Sequence, residues 1–299
     1  MGAFVSAIPG AIGQGLIWGI MAIGVYITFR VLDFADLTVD GTLATGGAAL
    51  VMSMMAGCNI YVALIIAFLT GCIAGLVTGI LNTLFGIPPI LAGILTQLAL
   101  YSVNLRILGK ANQPLSVYKY HLIASLTDVK QAIIVVAVFV VAIIALLYWF
   151  FGTELGHSIR ATGINKNMAK ANGINTKTTT IIALVLSNGL VALAGGLLSQ
   201  FQGFADVNMG RGAIVIGLAA VIIGEVVFGK IFKNFALRLL AVAFGGIIYY
   251  LVMQFVISLG LNTDDLKILT AAIVAVFLGI PYIKSRYDQN HVKTKKEVK

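Results

Sequence analysis

Residues 224–231, GEVVFGKI, come within one position of the phosphate-binding pattern G-x-x-x-x-G-K-[ST]. Ile231 stands where a hydroxyl would have to hold magnesium, and an apolar, helix-length run precedes it where a strand should enter a nucleotide-binding sheet. No nucleotide site is expected here, so any ATP must be hydrolysed by another chain. Of the three histidines, His121 and His157 fall in loops and His291 in the carboxyl-terminal tail. Cys58 and Cys72 have no histidine at ligand spacing and read as buried structural thiols. No catalytic triad, metal centre or cofactor can be assembled from these residues.

What remains is polar chemistry inside apolar surroundings. The stretch DFADLTVDG puts Asp33, Asp36 and Asp40 within eight residues beside a membrane-like segment. A carboxylate at the bilayer centre costs about 2.5–3.5 kcal/mol, so such groups face protein, a cavity or the interface. One reading places Asp33 and Asp36 at the interface. The other is an unwound start to the second helix that lines a path, with Asp40 and Thr42 near its N-terminus. Asn82, Thr96, Gln97, Asn188, Ser199 and Gln200 lie inside apolar segments, where they either hydrogen-bond between helices or line such a path. Asp40, Thr42, Thr45, Gln97 and Asn188 are the candidates for the path.

The longest polar interval between apolar segments, ELGHSIRATGINKNMAKANGINTKT from Glu154 to Thr178, is basic and punctuated by glycine. Helical spacing puts Ile164 and Met168 on one face and Lys166 and Lys170 on another, and Asn172–Gly173 supplies a stop with glycine in the left-handed position. A short amphipathic helix over 164–172 is expected, lying on lipid or docking on a partner. Elsewhere Gly71, Gly75 and Gly79 leave one helix face without side chains, suited to close packing within the subunit or across a dimer. Gly15 and Gly19 repeat the theme in the first helix.

The elements that must position these groups are membrane helices. With 60% hydrophobic and 10% charged residues and a mean hydropathy of +1.01, the 299-residue chain is an integral membrane protein. Residues 1–284 read as one all-α polytopic domain of about eight to ten spanning helices, followed by a basic tail, 285–299. Spans are expected at 11–29, 38–56, 60–84, 88–108, 131–151, 179–200, 211–228, 236–258 and 267–284. The first lacks a basic n-region and reads as a retained helix rather than a signal peptide. Gly41, Gly46 and Gly47 interrupt the second span, and Gly203, Gly210, Gly212 and Gly217 the region before 228, so either could be a half-helix or re-entrant piece. The net charge of +9 follows from Lys and Arg in loops and tail, a positive-inside pattern rather than a nucleic-acid footprint. By that rule the tail, the loop holding Lys230, Lys233 and Arg238, and the 152–178 loop are cytoplasmic, with 110–130 and the Asp264–Asp265 turn outside.

Three stretches together resemble the membrane permeases of bacterial ABC importers of the branched-chain amino acid type, related to the ribose-type permeases. GLIWGIMAIGVYITFRVLDFADLTVDGTLATGGA (15–48) is similar to the family's opening helix and the segment after it. The E-L-G, R-A, M-A and G-I-N elements of 154–175 match its cytoplasmic loop, and LVLSNGLVALAGGLLSQFQGF (184–204) its later A-G-x-L run. The VLDFADLTVDG variant, with Ile164 and Asn165 where branched-chain members often carry acids, looks more like the tryptophan/tyrosine-type subgroup. The resemblance implies a coupling helix within 154–178 that plugs into an ATPase subunit, with Arg160, Ile164, Met168, Ala169 and Gly173 as its key residues. It also implies an extracellular or periplasmic binding protein, a second permease copy and a bacterial cell-membrane location, with an amino acid as cargo. A sugar or nucleoside permease, an ion-gradient-driven transporter and a passive channel are the competing readings.

Overall fold

The computed structural model describes residues 2–120, 122–259, 268, 270–272, 274–276 and 279. Over these the chain is a bundle of helices, and helix ends sit where the local chemistry puts them. α1 (Gly2–Tyr26) runs into a π-helical turn, Ile27–Val31, in which the Leu32 amide reaches back five residues to the Ile27 carbonyl (3.0 Å). The chain then turns through Asp33, whose φ of 54° is left-handed, and folds back through a short non-helical segment before α2 (Val39–Met55) begins. α3 (Ile60–Thr83) starts at an Asn59 cap, and α4 (Pro89–Leu108) starts on Pro88–Pro89 and stops at left-handed Gly109. A short strand β1 (Asn112–Pro114) and the Asp128-capped α5 (Val129–Phe151) follow. The polar loop forms α6 (Glu154–Ile164) and α7 (Lys166–Ala171). Then come α8 (Thr176–Gln202), β2 (Phe204–Asp206), α9 (Ala213–Phe228) and α10 (Phe235–Ser258).

Among the described residues, six helices are long and apolar enough to cross a membrane: Ser6–Val31, α3, α4, α5, α8 and α10. The two segments marked by glycine interruption are the short ones. α2 has 17 residues and α9 has 16, and left-handed Gly203 and Gly212 bound the break before α9. The ninth expected span, 267–284, the Asp264–Asp265 turn, His121 and the tail 285–299 lie wholly or largely outside the described residues.

α8 is the central post. Of its apolar window 72% is buried, against 22% for α4 and for α5, which present most of their surface outward. Small residues let the backbones close in around it. A Cβ on Gly71 would collide with the Asn188 carbonyl, one on Gly75 with that of Leu184, and one on Gly79 with the Ile181 side chain, so the whole glycine run of α3 faces α8. Gly46 of α2 abuts Ala192, and Gly195 of α8 abuts Leu43. Gly15 and Gly19 of α1 do the same against Ile247 and Ala243 of α10.

β1 and β2 pair antiparallel, Asn112 opposite Asp206, at the bundle end where α2, α4 and α8 finish. The opposite end carries the π-turn, the 84–88 turn, α6, α7 and the α9–α10 turn. Cys58 lies exposed in the α2–α3 turn and Cys72 is half-buried against Gly189, so the expectation of two buried thiols holds for neither. Cys58 follows a helix end that must leave the apolar layer, and its side chain goes with it.

Candidate translocation face and coupling module

The break before α2 is held by a polar network inside the bundle. The Asp36 carboxylate accepts from the Thr38 amide (3.0 Å) and from Asn188 Nδ2 (2.7 Å), and Asn188 Oδ1 accepts from the Thr42 hydroxyl (2.8 Å). A second chain runs from Thr38 Oγ1 to Thr78 Oγ1 (2.7 Å) and on to Thr96 Oγ1 (2.9 Å), tying α2 to α3 and α4. Asp36 is 2% exposed, which corrects its interfacial placement, while Asp33 is exposed. The physical reason is the non-helical 32–38 segment. It folds back beside α8, where Asn188 supplies an amide that a buried carboxylate needs.

Asp40 has a different task. Its two oxygens accept from the Gly212 and Ile214 amides, both at 2.9 Å, so it caps the N-terminus of α9 from 172 residues away. Those amides have no partner within their own helix, and a carboxylate also suits the positive end of the helix dipole. Beside it a cavity of about 330 Å³ opens between α4 and the α2–α9 junction, lined by Asp40, Gly41, Gln97, Leu98, Tyr101, Asn104, Val207 and Arg211. An acid, a base, two amides and a phenol therefore face one space. Of the path candidates, Asp40 and Gln97 line it. Thr42, Thr45 and Asn188 are buried at 0–3% exposure, engaged in the network or bonded to their own helix, and do not line this cavity. Tyr101, Asn104 and Arg211 escape sequence reasoning; the four-residue spacing of Gln97 and Tyr101 on α4 is the only signal that could have found one of them.

At the other end, three caps shape the polar loop. Thr153 accepts from the Gly156 amide, Asn165 from those of Asn167 and Met168 (both 3.0 Å), and Asn175 from those of Lys177 and Thr178. The expected 164–172 helix is thus split. Asn165 adopts an extended φ of −156° and ends α6 while starting α7, so Ile164 and Met168 do not share a helix face. Ile164 is 82% exposed, Met168 49%, and Ala169 is buried. Gly173, with φ 79°, stops α7 as expected; its amide donates to the Lys170 carbonyl and that of Ile174 to Ala169, both at 3.0 Å.

α6 is the strut between α7 and the bundle. Gly163 packs so tightly on the Val31 carbonyl that a Cβ would overlap it, and Thr162 Oγ1 meets Thr179 Oγ1 of α8 at 2.9 Å. Arg160 points inward, its guanidinium 4.2 Å from the centroid of the Phe235 ring and 5.4 Å from that of Phe151. Burial there pushes its pKa down from the ordinary value.

The match to known proteins covers this whole arrangement. A solved structure described as PsaBC from Streptococcus pneumoniae in complex with Fab aligns over 92% of this chain and 94% of its own with a TM-score of 0.52; at 15% identity this speaks for the fold alone. The tyrosine transport system permease protein of Clostridioides difficile is 42% identical over 92% of this chain and 91% of its own length. The D-allose transport system permease protein of Escherichia coli is 29% identical over 81% and 70%. Residues 8–282 match the family model for the permease component of the branched-chain amino acid transport system, and the chain belongs to that family.

Proposed function

We propose that this chain is the membrane subunit of an ATP-driven importer for an amino acid, of aromatic or branched-chain type, with no catalytic activity of its own. The observation that carries the substrate class is the 42% identity, along nine-tenths of the chain, to a permease named for tyrosine transport. The cavity beside Asp40 is consistent with that cargo. Arg211 suits a carboxylate, the free lone pairs of Asp40 an ammonium group, and the Tyr101 ring an apolar or aromatic side chain.

In this reading a second copy of the chain completes the path on the α4 face, in a bacterial cell membrane, and α7 seats in a cytoplasmic ATPase subunit. ATP closure pulls on α7, α6 transmits the displacement through Gly163 and Arg160, and the π-turn and α10 carry it into the bundle. An extracellular or periplasmic binding protein delivers the cargo at the β1–β2 end. The tail 285–299 lies on the ATPase side.

Calorimetric titration of the cognate binding protein with tyrosine, tryptophan, leucine and D-allose tests the cargo. Binding of an amino acid is expected, and binding of the sugar alone overturns the assignment. Co-purification tests the coupling: Met168→Asp on the exposed face of α7 is expected to release the ATPase subunit while leaving the permease folded. Full retention of the ATPase with intact transport overturns it.

A further inference from the structure

A second cavity, of about 360 Å³, lies where the π-turn, α6 and α10 meet, and its walls are basic. Arg30, Arg160, Lys233 and Arg238 line it, together with Tyr26 and Phe235. Glu225 neutralises only Arg30, through an ion pair whose Arg30 Nε donates at 3.0 Å, which leaves three cations against no further carboxylate in the lining. Arg160 packs its guanidinium against the Phe151–Phe235 ring pair, with its Nε buried and lacking a hydrogen-bond partner. Arg30, Lys233 and Arg238 all stand exposed at the mouth.

The depth of the site matters as much as its charge. Val31 ends the span Ser6–Val31 and Phe235 begins the span Phe235–Ser258, so the cavity opens at the level where apolar helix surface gives way to headgroups. Cations clustered there, one of them packed on aromatic rings and partly dehydrated, match a phosphate oxygen better than a hydrated chloride, because guanidinium groups donate to phosphate in a fork.

We propose that this cavity binds a phosphate group, supplied by the diester headgroup of an anionic lipid such as phosphatidylglycerol or by free phosphate, and that the bound group braces α6 against α10. This holds whichever cargo the permease carries, since none of these residues lines the cavity beside Asp40.

The full-length chain is reconstituted in nanodiscs of phosphatidylcholine with 10% phosphatidylglycerol and examined by native mass spectrometry after release into detergent. The wild type is expected to retain phosphatidylglycerol over phosphatidylcholine, and Lys233→Gln/Arg238→Gln to lose roughly tenfold of that preference. Lys110→Gln/Lys119→Gln removes the same charge from the opposite end of the bundle and is expected to keep it. A parallel arm measures protection of Lys233 from acylation by 10 mM inorganic phosphate against 10 mM chloride. Lipid retention identifies the headgroup as the source, and protection by phosphate without lipid retention identifies the free ion.

Equal lipid retention by wild type and Lys233→Gln/Arg238→Gln, together with no phosphate protection, overturns the proposal. So does loss of the ATPase subunit from that variant with lipid and phosphate responses unchanged, which would make the cations a protein contact. Lys233→Arg/Arg238→Lys, which conserves charge, is expected to restore retention and separates lost binding from lost folding.

Discussion

Asn188 shows what a single polar side chain does in this bundle. It donates to Asp36 and accepts from Thr42, so its replacement leaves Asp36 Oδ2 buried without a donor while the Thr38 amide keeps the other oxygen. Asn188→Leu is expected to destabilise the protein by about 3 kcal/mol, because a buried acceptor loses its donor and gains no water. Asp36→Leu/Asn188→Leu removes both partners and is expected to recover most of that loss. A double-mutant cycle by thermal unfolding in detergent checks it, and additive single effects would show that the two residues do not act as a pair. The sequence exposes both residues as polar in apolar context; their pairing across 152 positions is invisible there. Asp40 is the parallel case. Its role at the start of α2 is legible, but the helix it caps is α9. Asp40→Ala is expected to cost about 1–2 kcal/mol by the same measurement, the usual range for losing a helix cap, and Asp40→Asn less.

At the scale of elements, glycine spacing was a good guide and helix periodicity a poor one. The four-residue repeat of Gly71, Gly75 and Gly79 reads directly as a packing face, and that face meets α8. The loop after α5 misleads because its amphipathic pattern runs across Asn165, whose side chain takes the amides of the next turn and breaks the helix. Local side-chain capping beats periodicity in a segment this short, where each helix has only one or two turns' worth of bonds to lose. The consequence is a jointed pair, α6 and α7, which the proposed function makes the coupling element, with Gly163 as the tight contact between α6 and the bundle. Gly163→Val is expected to force α6 away from Val31 and uncouple the complex. ATP hydrolysis would continue while uptake falls at least tenfold, measured side by side in proteoliposomes. Unchanged uptake per ATP would show that α6 is not the strut.

For the molecule as a whole, the proposed function places the source of energy in another chain. The near-phosphate loop at 224–231 is the end of α9 and the turn after it, with Gly224 packed on the Ala241 carbonyl of α10. Purified chain alone in vesicles with an imposed proton or sodium gradient is therefore expected to take up no amino acid. The same vesicles with the ATPase subunit, ATP and loaded binding protein should accumulate it. Gradient-driven uptake by the chain alone would place it among secondary transporters.

Composition, apolar run lengths and three family-like stretches determined by themselves that this is an all-α membrane permease, and where its polar loop lies, because lipid imposes run length and backbone satisfaction on any sequence that crosses it. Residue types also marked the break before α9, bounded by left-handed Gly203 and Gly212, whereas Gly41, Gly46 and Gly47 lie within the continuous helix α2 and do not interrupt it. Only the tertiary structure decided that Asp36 is buried on Asn188, that Asp40 closes α9, that Arg160 packs on an aromatic pair, and that three basic segments surround one cavity. Each of these joins residues remote in sequence, and the energy of such contacts depends on a geometry that exists only once α8 has gathered the other helices around it.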